Sequence, residues 1–366
     1  MAKVVMVGRD KAPSEAFEAL KTKLVGEEVV AYLGHGDPIK ETLEKIKAAA
    51  SGADVLLCGM SSSPKLVAEE IAAIISASIN GVPVVLYADT HGCVHRAWFE
   101  GVRDRVNAVL VVSNKEADAA RQLFPNAEPV LSGNPSVEES YFPKTTREQT
   151  RNRFGVREDE KLMLIPGCKF PAVTIPTVIA AINAVDMLSE TNFFMVVSVH
   201  PGDDAWKANP DFYDNLIKYF TECKDVTDLA NLRWTVSCGK HPNEERRVVT
   251  SDILPGVDIV VATMSTEEQK AACQRIPVVE YLTAVDLDRM EKNFGTRDWE
   301  CCEQGIAEEV FGDHAELAGA IDELLDPKSA NSVSMRQAQE AHYPKPSEPG
   351  YAVRVMAETV LKYASK

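Results

Sequence analysis

The sequence predicts an α/β protein built from two doubly wound parallel-sheet domains that face one another across a cleft, followed by C-terminal helices. Three observations predict it. At 366 residues the chain is longer than a single hydrophobic core usually spans. Its strand-like segments, such as 3–7, 54–58 and 257–261, are continuous apolar runs, the pattern of strands covered by helices on both faces. The alternation of strand and helix breaks once, in PVLSGNPSVEESYFPKTT at 129–146, and then starts again, as expected of an interdomain hinge.

The first ladder has apolar strand runs at 3–7, 28–33, 54–58, 82–88 and 108–112, with helical segments at 14–24, 39–50, 64–78 and 115–124. Pro64 suits a first helical position. The second ladder has strands at 161–165, 193–199, 232–236, 257–261 and 278–281. Its helices fall at 174–188, 211–222, 244–250 and 267–274, and the last helix of the chain at 351–363. Right-handed crossovers between parallel strands make each ladder a Rossmann-like layer structure. The expected domains are 1–140, 141–345 and a C-terminal segment 346–366 whose helix packs back on the first domain.

Hydrophobic content of 45% and charged content of 26% are those of an ordinary globular protein. A formal net charge of −16 argues against a broad electrostatic grip on nucleic acid or on an anionic membrane, so a nucleic-acid partner is disfavoured. The start, MAKVVMVGRDK, runs straight into a strand without a secretory h-region, and no apolar stretch is long enough to span a bilayer; a cytoplasmic protein is expected. Eight cysteines without a CxxC pair read as reduced core residues, not a structural zinc site.

Ligands of open α/β sheets bind beyond the carboxyl ends of the strands. In the first half those ends are Gly8-Arg9-Asp10, Gly34-His35-Gly36-Asp37, Gly59–Ser63 and Asp89–His95. Asp89 and His91 put a carboxylate and an imidazole on one turn beside Gly92, a pairing suited to general base catalysis. Imidazole has the better unperturbed pKa, whereas Asp89 needs a hydrogen-bonding partner or partial burial to act as base. The alternative is that Asp89 caps a helix and His91 bonds backbone. His91 and His95 stand at i, i+4, but Gly92 and Cys93 between them argue against a helical metal site. In the second half Gly167 and Lys169 follow the first strand and His200 the second. Within LPGVDIVVATMSTEEQKAACQRIPVVEYL, at 254–282, the hydroxyls of Thr263, Ser265 and Thr266 are expected to cap a helix. Such a terminus either offers N–H groups and a positive dipole end to a diphosphate or serves only to stabilise the helix.

Four short segments carry a family resemblance: LSGNPSVE at 131–138, LIPGCK at 164–169, VSVHPGD at 197–203 and the stretch from Thr263 to Pro277. They resemble, in order, the Gly-Asn turn closing the first domain, the loop opening the second, the Val-His-Pro-Asn segment and the donor-diphosphate helix. These belong to the two-Rossmann (GT-B) glycosyltransferases, the related UDP-N-acetylglucosamine 2-epimerases, and lipid A disaccharide synthase. There are departures. The helix of those families ends in Gly-x-Pro, here Arg275-Ile276-Pro277, and Lys270 stands where they carry a sugar- or ribose-binding Glu. The epimerase segment Glu-Ala-Gly-Leu-Arg is replaced by Tyr87-Ala-Asp-Thr-His-Gly92.

The resemblance implies a glycosyltransferase that moves a sugar from a nucleoside-diphosphate donor, UDP being typical, to an acceptor it does not identify. Donor contacts would fall to Gly167, Lys169, His200, Ser265, Thr266 and Glu267, and acceptor contacts to Asp10, Ser61, Ser62 and His95. Catalysis would fall to Asp89 and His91, with the nucleotide sugar as co-substrate and neither cofactor nor metal. A UDP-sugar 2-epimerase or hydrolase is the alternative enzyme, and a degenerate nucleotide-sugar-binding protein the alternative outside catalysis. Oligomeric state stays open.

Overall fold

The computed structural model describes residues 1–34, 40–62, 64–222, 229 and 231–365. Two units divide it: residues 1–139 with 293–295 and 346–366, and residues 140–292 with 296–345. Among the described residues no helix is long and apolar enough to cross a membrane.

The first unit is built on strands β1 (Lys3–Gly8), β2 (Glu28–Leu33), β3 (Val55–Gly59), β4 (Val84–Tyr87), β5 (Ala108–Val111) and β6 (Glu128–Leu131). They pair in the order β2-β1-β3-β4-β5-β6, every pair parallel. The order reverses between β1 and β3, so the crevice that usually receives ligand opens where those two strands end. Val4, Val5, Met6, Leu56, Leu57 and Leu86 are wholly buried, because helices cover both faces. One cover is the C-terminal helix Tyr351–Ala364, whose Val353, Met356 and Val360 enter the same core cluster as β1 and β3. Its first turn is held by Glu138, which accepts the N–H groups of Gly350, Tyr351 and Ala352 at 2.5, 2.8 and 2.6 Å.

The second unit carries β7 (Glu160–Pro166), β8 (Asn192–Ser198), β9 (Leu232–Ser237), β10 (Ile259–Ala262), β11 (Val278–Leu282) and β12 (Glu308–Phe311). Their order is β12-β11-β10-β7-β8-β9, again all parallel. β8 and β9 run outward to one side of β7, and β10, β11 and β12 to the other, which is the dinucleotide-fold order with its switch point between β7 and β10.

The predicted strands all form, within a residue or two of their expected ends. The structure adds β6 and β12, which carry a Pro or several carboxylates on partly exposed sheet edges and therefore show no apolar run. The helix expected over 244–250 is instead a 3₁₀ turn, Glu244–Arg246, and a four-residue helix, Thr250–Ile253. A further 3₁₀ segment, Ala97–Arg105, fills the stretch between β4 and β5.

Candidate functional site

At the β1/β3 switch point the polar groups are mutually engaged. Asp10 caps the helix Lys11–Lys21, accepting Lys11 N–H at 2.9 Å, and its second oxygen accepts the N–H and Oγ of Ser62 at 3.1 and 2.5 Å. Burial raises the Asp10 pKa, but these hydrogen bonds outweigh it and leave the carboxyl below its ordinary value. Ser61 is fully buried and gives its Oγ to Glu70 at 2.6 Å; its N–H and that of Arg9 bond Glu70 as well, at 2.9 and 3.1 Å. Glu70, which the sequence did not single out, thus ties the two loops together, and burial pushes it up to about 7 against the hydrogen bonds that oppose the rise. Arg9 pairs with the adjacent buried Glu69. His35, Gly36, Asp37 and Ser63 lie outside the described residues.

Beyond β4, Asp89 and His91 are both buried, and Gly92 turns the chain at φ 73° into a short 3₁₀ helix, Cys93–His95. This turn is fixed from the next helix, Asn114–Leu123: Glu116 accepts Gly92 N–H at 2.8 Å and Val94 N–H at 3.3 Å. Asp89 lies 3.9 Å from the buried Arg96 guanidinium and accepts from Cys93 Sγ at 3.7 Å, while its backbone carbonyl accepts Asn134 Nδ2 at 2.7 Å. Burial raises the Asp89 carboxyl, with Arg96 opposing and the Asp10 charge adding to the rise. Burial, and then the Lys115 charge, lowers His91 to about 3. The ordering expected from unperturbed values is therefore reversed: the Asp89 pKa is displaced upward, toward neutral pH, and the His91 pKa downward, away from it. His95 is exposed, and burial of its inner part, then Arg103 and Lys115, holds its pKa down.

In the second unit Gly167 continues the β7/β8 pairing, donating to Ser198 O at 2.8 Å, and a Cβ there would sit 3.2 Å from Thr174. The loop then presents Lys169 and Phe170, both exposed. Lys169 Nζ lies 5.2 Å from the Phe170 ring centroid and Arg289 Cζ 4.6 Å from it, so two cations share one ring. Arg289 comes from the helix Ala284–Phe294 after β11, and its Nη1 is buried without a hydrogen-bond partner. Phe170 is also the N-cap of the 17-residue helix Pro171–Met187, and no side chain caps that terminus. An uncapped helix N-terminus and two cations converge at the end of β7, an arrangement suited to an anion. His200 is exposed, and its Nδ1 accepts Gly202 N–H at 2.9 Å.

The turn after β10 differs from its expected form. Its N–H groups are already bound: Met264 N–H to Glu280 Oε1 at 2.6 Å, Ser265 N–H to Glu268 Oε1 at 2.6 Å, and Glu267 N–H to Ser265 Oγ at 3.2 Å. Thr263 turns inward, bonding Thr177 Oγ1 at 2.7 Å and Tyr281 O at 2.8 Å, and Thr266 caps nothing with its side chain. The helix that follows, Glu267–Cys273, has only seven residues and two carboxylates in its first turn. Lys270 is neutralised by Glu267 at 2.8 Å. Glu268 and Glu280 are fully buried; burial raises both, and in Glu280 the nearby Glu268 charge adds to the rise. Asp203 and Asp286 serve as caps, accepting Trp206 N–H at 2.9 Å and Thr283 N–H at 3.0 Å. Among the described residues no group of three or more His, Cys, Asp or Glu side chains could hold a metal ion.

Two doubly wound parallel sheets in one chain, the second in dinucleotide-fold order, give a two-Rossmann (GT-B) fold. The chain is similar along its whole length to solved structures of that fold. With UDP-GlcNAc 2-epimerase from Neisseria meningitidis bound to UDP-GlcNAc it shares 13% identity over 98% of this chain and 100% of the other, with a TM-score of 0.62. With S. aureus MnaA solved with UDP it shares 13% over 100% and 98%, at TM-score 0.64. With a glycosyltransferase from Rickettsia africae it shares 11% over 99% and 98%, at TM-score 0.62. No family model and no curated protein matches the sequence.

Proposed function

We propose that this protein is an enzyme acting on a nucleoside-diphosphate sugar, and that it transfers the sugar to an acceptor hydroxyl. The observation that carries the reading is the convergence of Lys169, Arg289 and the uncapped N-terminus of Pro171–Met187 beyond β7, beside the switch point of a dinucleotide-type sheet. A diphosphate there gains two cations and the positive end of the helix dipole, and the exposed Phe170 ring offers a face to a base or sugar. The neighbours solved with UDP or UDP-GlcNAc support the same ligand class. Gly167 and His200 stand at the adjoining strand ends and keep donor-side roles, whereas Ser265, Thr266 and Glu267 contribute only through the turn they form.

The chemistry follows from charge. As the bond between the anomeric carbon and the diphosphate breaks, negative charge grows on the leaving group, and fixed cations and N–H dipoles stabilise it without reorganising. Asp89, lifted by burial, is the base that takes the acceptor proton while the acceptor oxygen bonds to the anomeric carbon. His91, neutral throughout the physiological range, acts as a hydrogen-bonding partner and not as the base. Asp10, Ser61, Ser62 and His95 are the polar groups available on the acceptor side; Asp10 and Ser61 act there by shaping the loops.

A UDP-sugar 2-epimerase is the second reading, favoured by epimerases among the structural neighbours. One experiment separates the two. Each of UDP-GlcNAc, UDP-glucose and GDP-mannose is incubated with the protein, alone and with a panel of acceptor sugars and alcohols, and followed by NMR. Nucleoside diphosphate released only with acceptor supports transfer; a new epimer formed from the donor alone supports epimerisation. Neither change with any donor, together with no binding, sinks both.

A further inference from the structure

A second pocket lies at the opposite, amino-terminal edge of the second unit's sheet. Its volume is about 370 Å³, within the range of sites for small organic ligands. Lys161 near the start of β7, Asp258 just before β10 and Pro277 just before β11 line it, so it does not touch the strand ends where Lys169 emerges.

Its wall is cationic in a protein whose net charge is −16. Arg147, Lys161, Arg275 and Arg336 stand against one carboxylate, Asp258. That carboxylate is taken: it pairs with Arg147, with Arg151 at 2.8 Å, and accepts Leu162 N–H at 2.7 Å. Arg275 bonds the carbonyls of Ala272, Gln339 and Tyr343, and Arg336 bonds Ser332 Oγ and the Pro327 carbonyl. Neutral partners orient a guanidinium but leave its charge in place. Lys161 has no ion pair among the described residues, and Gln274 Nε2, also on the wall, is buried without a hydrogen-bond partner. Three cations left uncompensated by carboxylates and one unused amide donor therefore face a single pocket. The remaining wall, including Val257, Ile276 and Leu325, is apolar.

Like charges gathered without counter-charge repel one another, and a bound anion removes that cost. We infer that this pocket binds a small organic phosphate, its phosphate held by Lys161, Arg275 and Arg336 and its carbon skeleton against Val257, Ile276 and Leu325. The ligand differs from the sugar nucleotide in location: it occupies a separate site on the same unit.

The test is isothermal titration calorimetry of the full chain at low ionic strength with pyrophosphate and with AMP as probes. Three proteins are compared: the unaltered chain, Lys161→Ala, and Lys169→Ala/Arg289→Ala. Lys161 is half-buried and its ammonium has no partner to lose among the described residues, so its replacement leaves the fold intact; Arg336→Gln is the second variant. Saturable binding of either probe that weakens at least roughly tenfold in Lys161→Ala and in Arg336→Gln, yet persists in Lys169→Ala/Arg289→Ala, supports the site. Binding that follows Lys169 and Arg289 instead, binding indifferent to Lys161, or no saturable binding of either probe overturns it. The double variant keeps this result independent of the sugar-nucleotide reading.

Discussion

Glu280, in the middle of β11, accepts the backbone N–H of Met264 at 2.6 Å, and Met264 is held at φ 49°, in the left-handed region. For a residue with a Cβ that conformation costs roughly 1–2 kcal/mol, so a buried carboxylate here stabilises a turn that local preference resists. Met264→Gly and Met264→Ala remove nearly the same side chain and differ in backbone cost. The glycine variant is expected to be more stable than the alanine variant by about 1 kcal/mol in urea-induced unfolding. Equal midpoints would mean that the left-handed turn carries no strain.

Arg289 is central to the proposed donor site, where it shares the Phe170 ring with Lys169. Its charge-assisted contacts are worth roughly 1.5–3 kcal/mol, so Arg289→Ala and Lys169→Ala should each weaken nucleoside-diphosphate binding by about 10- to 100-fold in thermal-shift titrations. Ser265→Ala should matter less, since its hydroxyl serves Glu267 N–H and not the anion. A larger loss from Ser265→Ala than from Arg289→Ala would return the phosphate to the turn after β10.

Asp89→Asn should lower kcat about 100- to 10,000-fold with little change in the donor KM, the pattern of a lost base. Because His91 is pushed down to about 3, the kcat profile should show no inflection near 6.5. Activity should instead rise with pH through an acid limb set by Asp89, and His91→Gln should leave that limb where it is. A limb that moves with His91→Gln would reassign the base.

Glu70 gives the first unit a pH dependence. Its folded pKa, about 7, lies above its ordinary 4.5, so between those values the folded state holds a proton that the unfolded state has lost. Stability from this group is complete below 4.5 and disappears as pH rises through 7, by up to roughly 3 kcal/mol. Glu268 and Glu280, also raised by burial, slope the same way in the second unit. Glu70→Gln should flatten the Glu70 share, read as the difference between wild-type and variant unfolding profiles from pH 4.5 to 7.5. Parallel profiles would show that Glu70 is ionised throughout.

The fold was legible wherever burial on both faces wrote an apolar run, as in Val55–Gly59 and Val278–Leu282. It was illegible at Glu128–Leu131 and Glu308–Phe311, where exposed sheet edges let Pro and carboxylates enter the strand. The site divided similarly. Lys169 announces itself by following a strand, but Arg289 is one cation on an amphipathic helix and acquires meaning only beside Phe170. Glu116 carries a partial signal, standing three residues after Ser113 in a capping-box position. Ser113 Oγ does accept Glu116 N–H at 3.2 Å, yet the Glu116 side chain reaches across to Gly92 and Val94. The hydroxyls after β10 misled because carboxylates from Glu268 and Glu280, unseen in a linear reading, took the N–H groups first.

The LSGNPSVE motif has a structural use that its resemblance did not suggest. Gly133 turns at φ 74°, Asn134 ties the turn to the Asp89 carbonyl, and Glu138 then receives three N–H groups at the start of the C-terminal helix. That helix buries Val353, Met356 and Val360 against the first unit's core, so its first turn is anchored by a charge it does not carry itself. Glu138→Gln keeps the shape but weakens charge-assisted bonds and the favourable interaction with the helix dipole, while Glu138→Ala removes both. The expected losses are about 1 kcal/mol for Gln and about 2–3 kcal/mol for Ala, with faster amide exchange confined first to residues 350–365. Exchange that accelerates uniformly over the first unit would mean that the helix unfolds only with the sheet, and that Glu138 stabilises the unit as a whole.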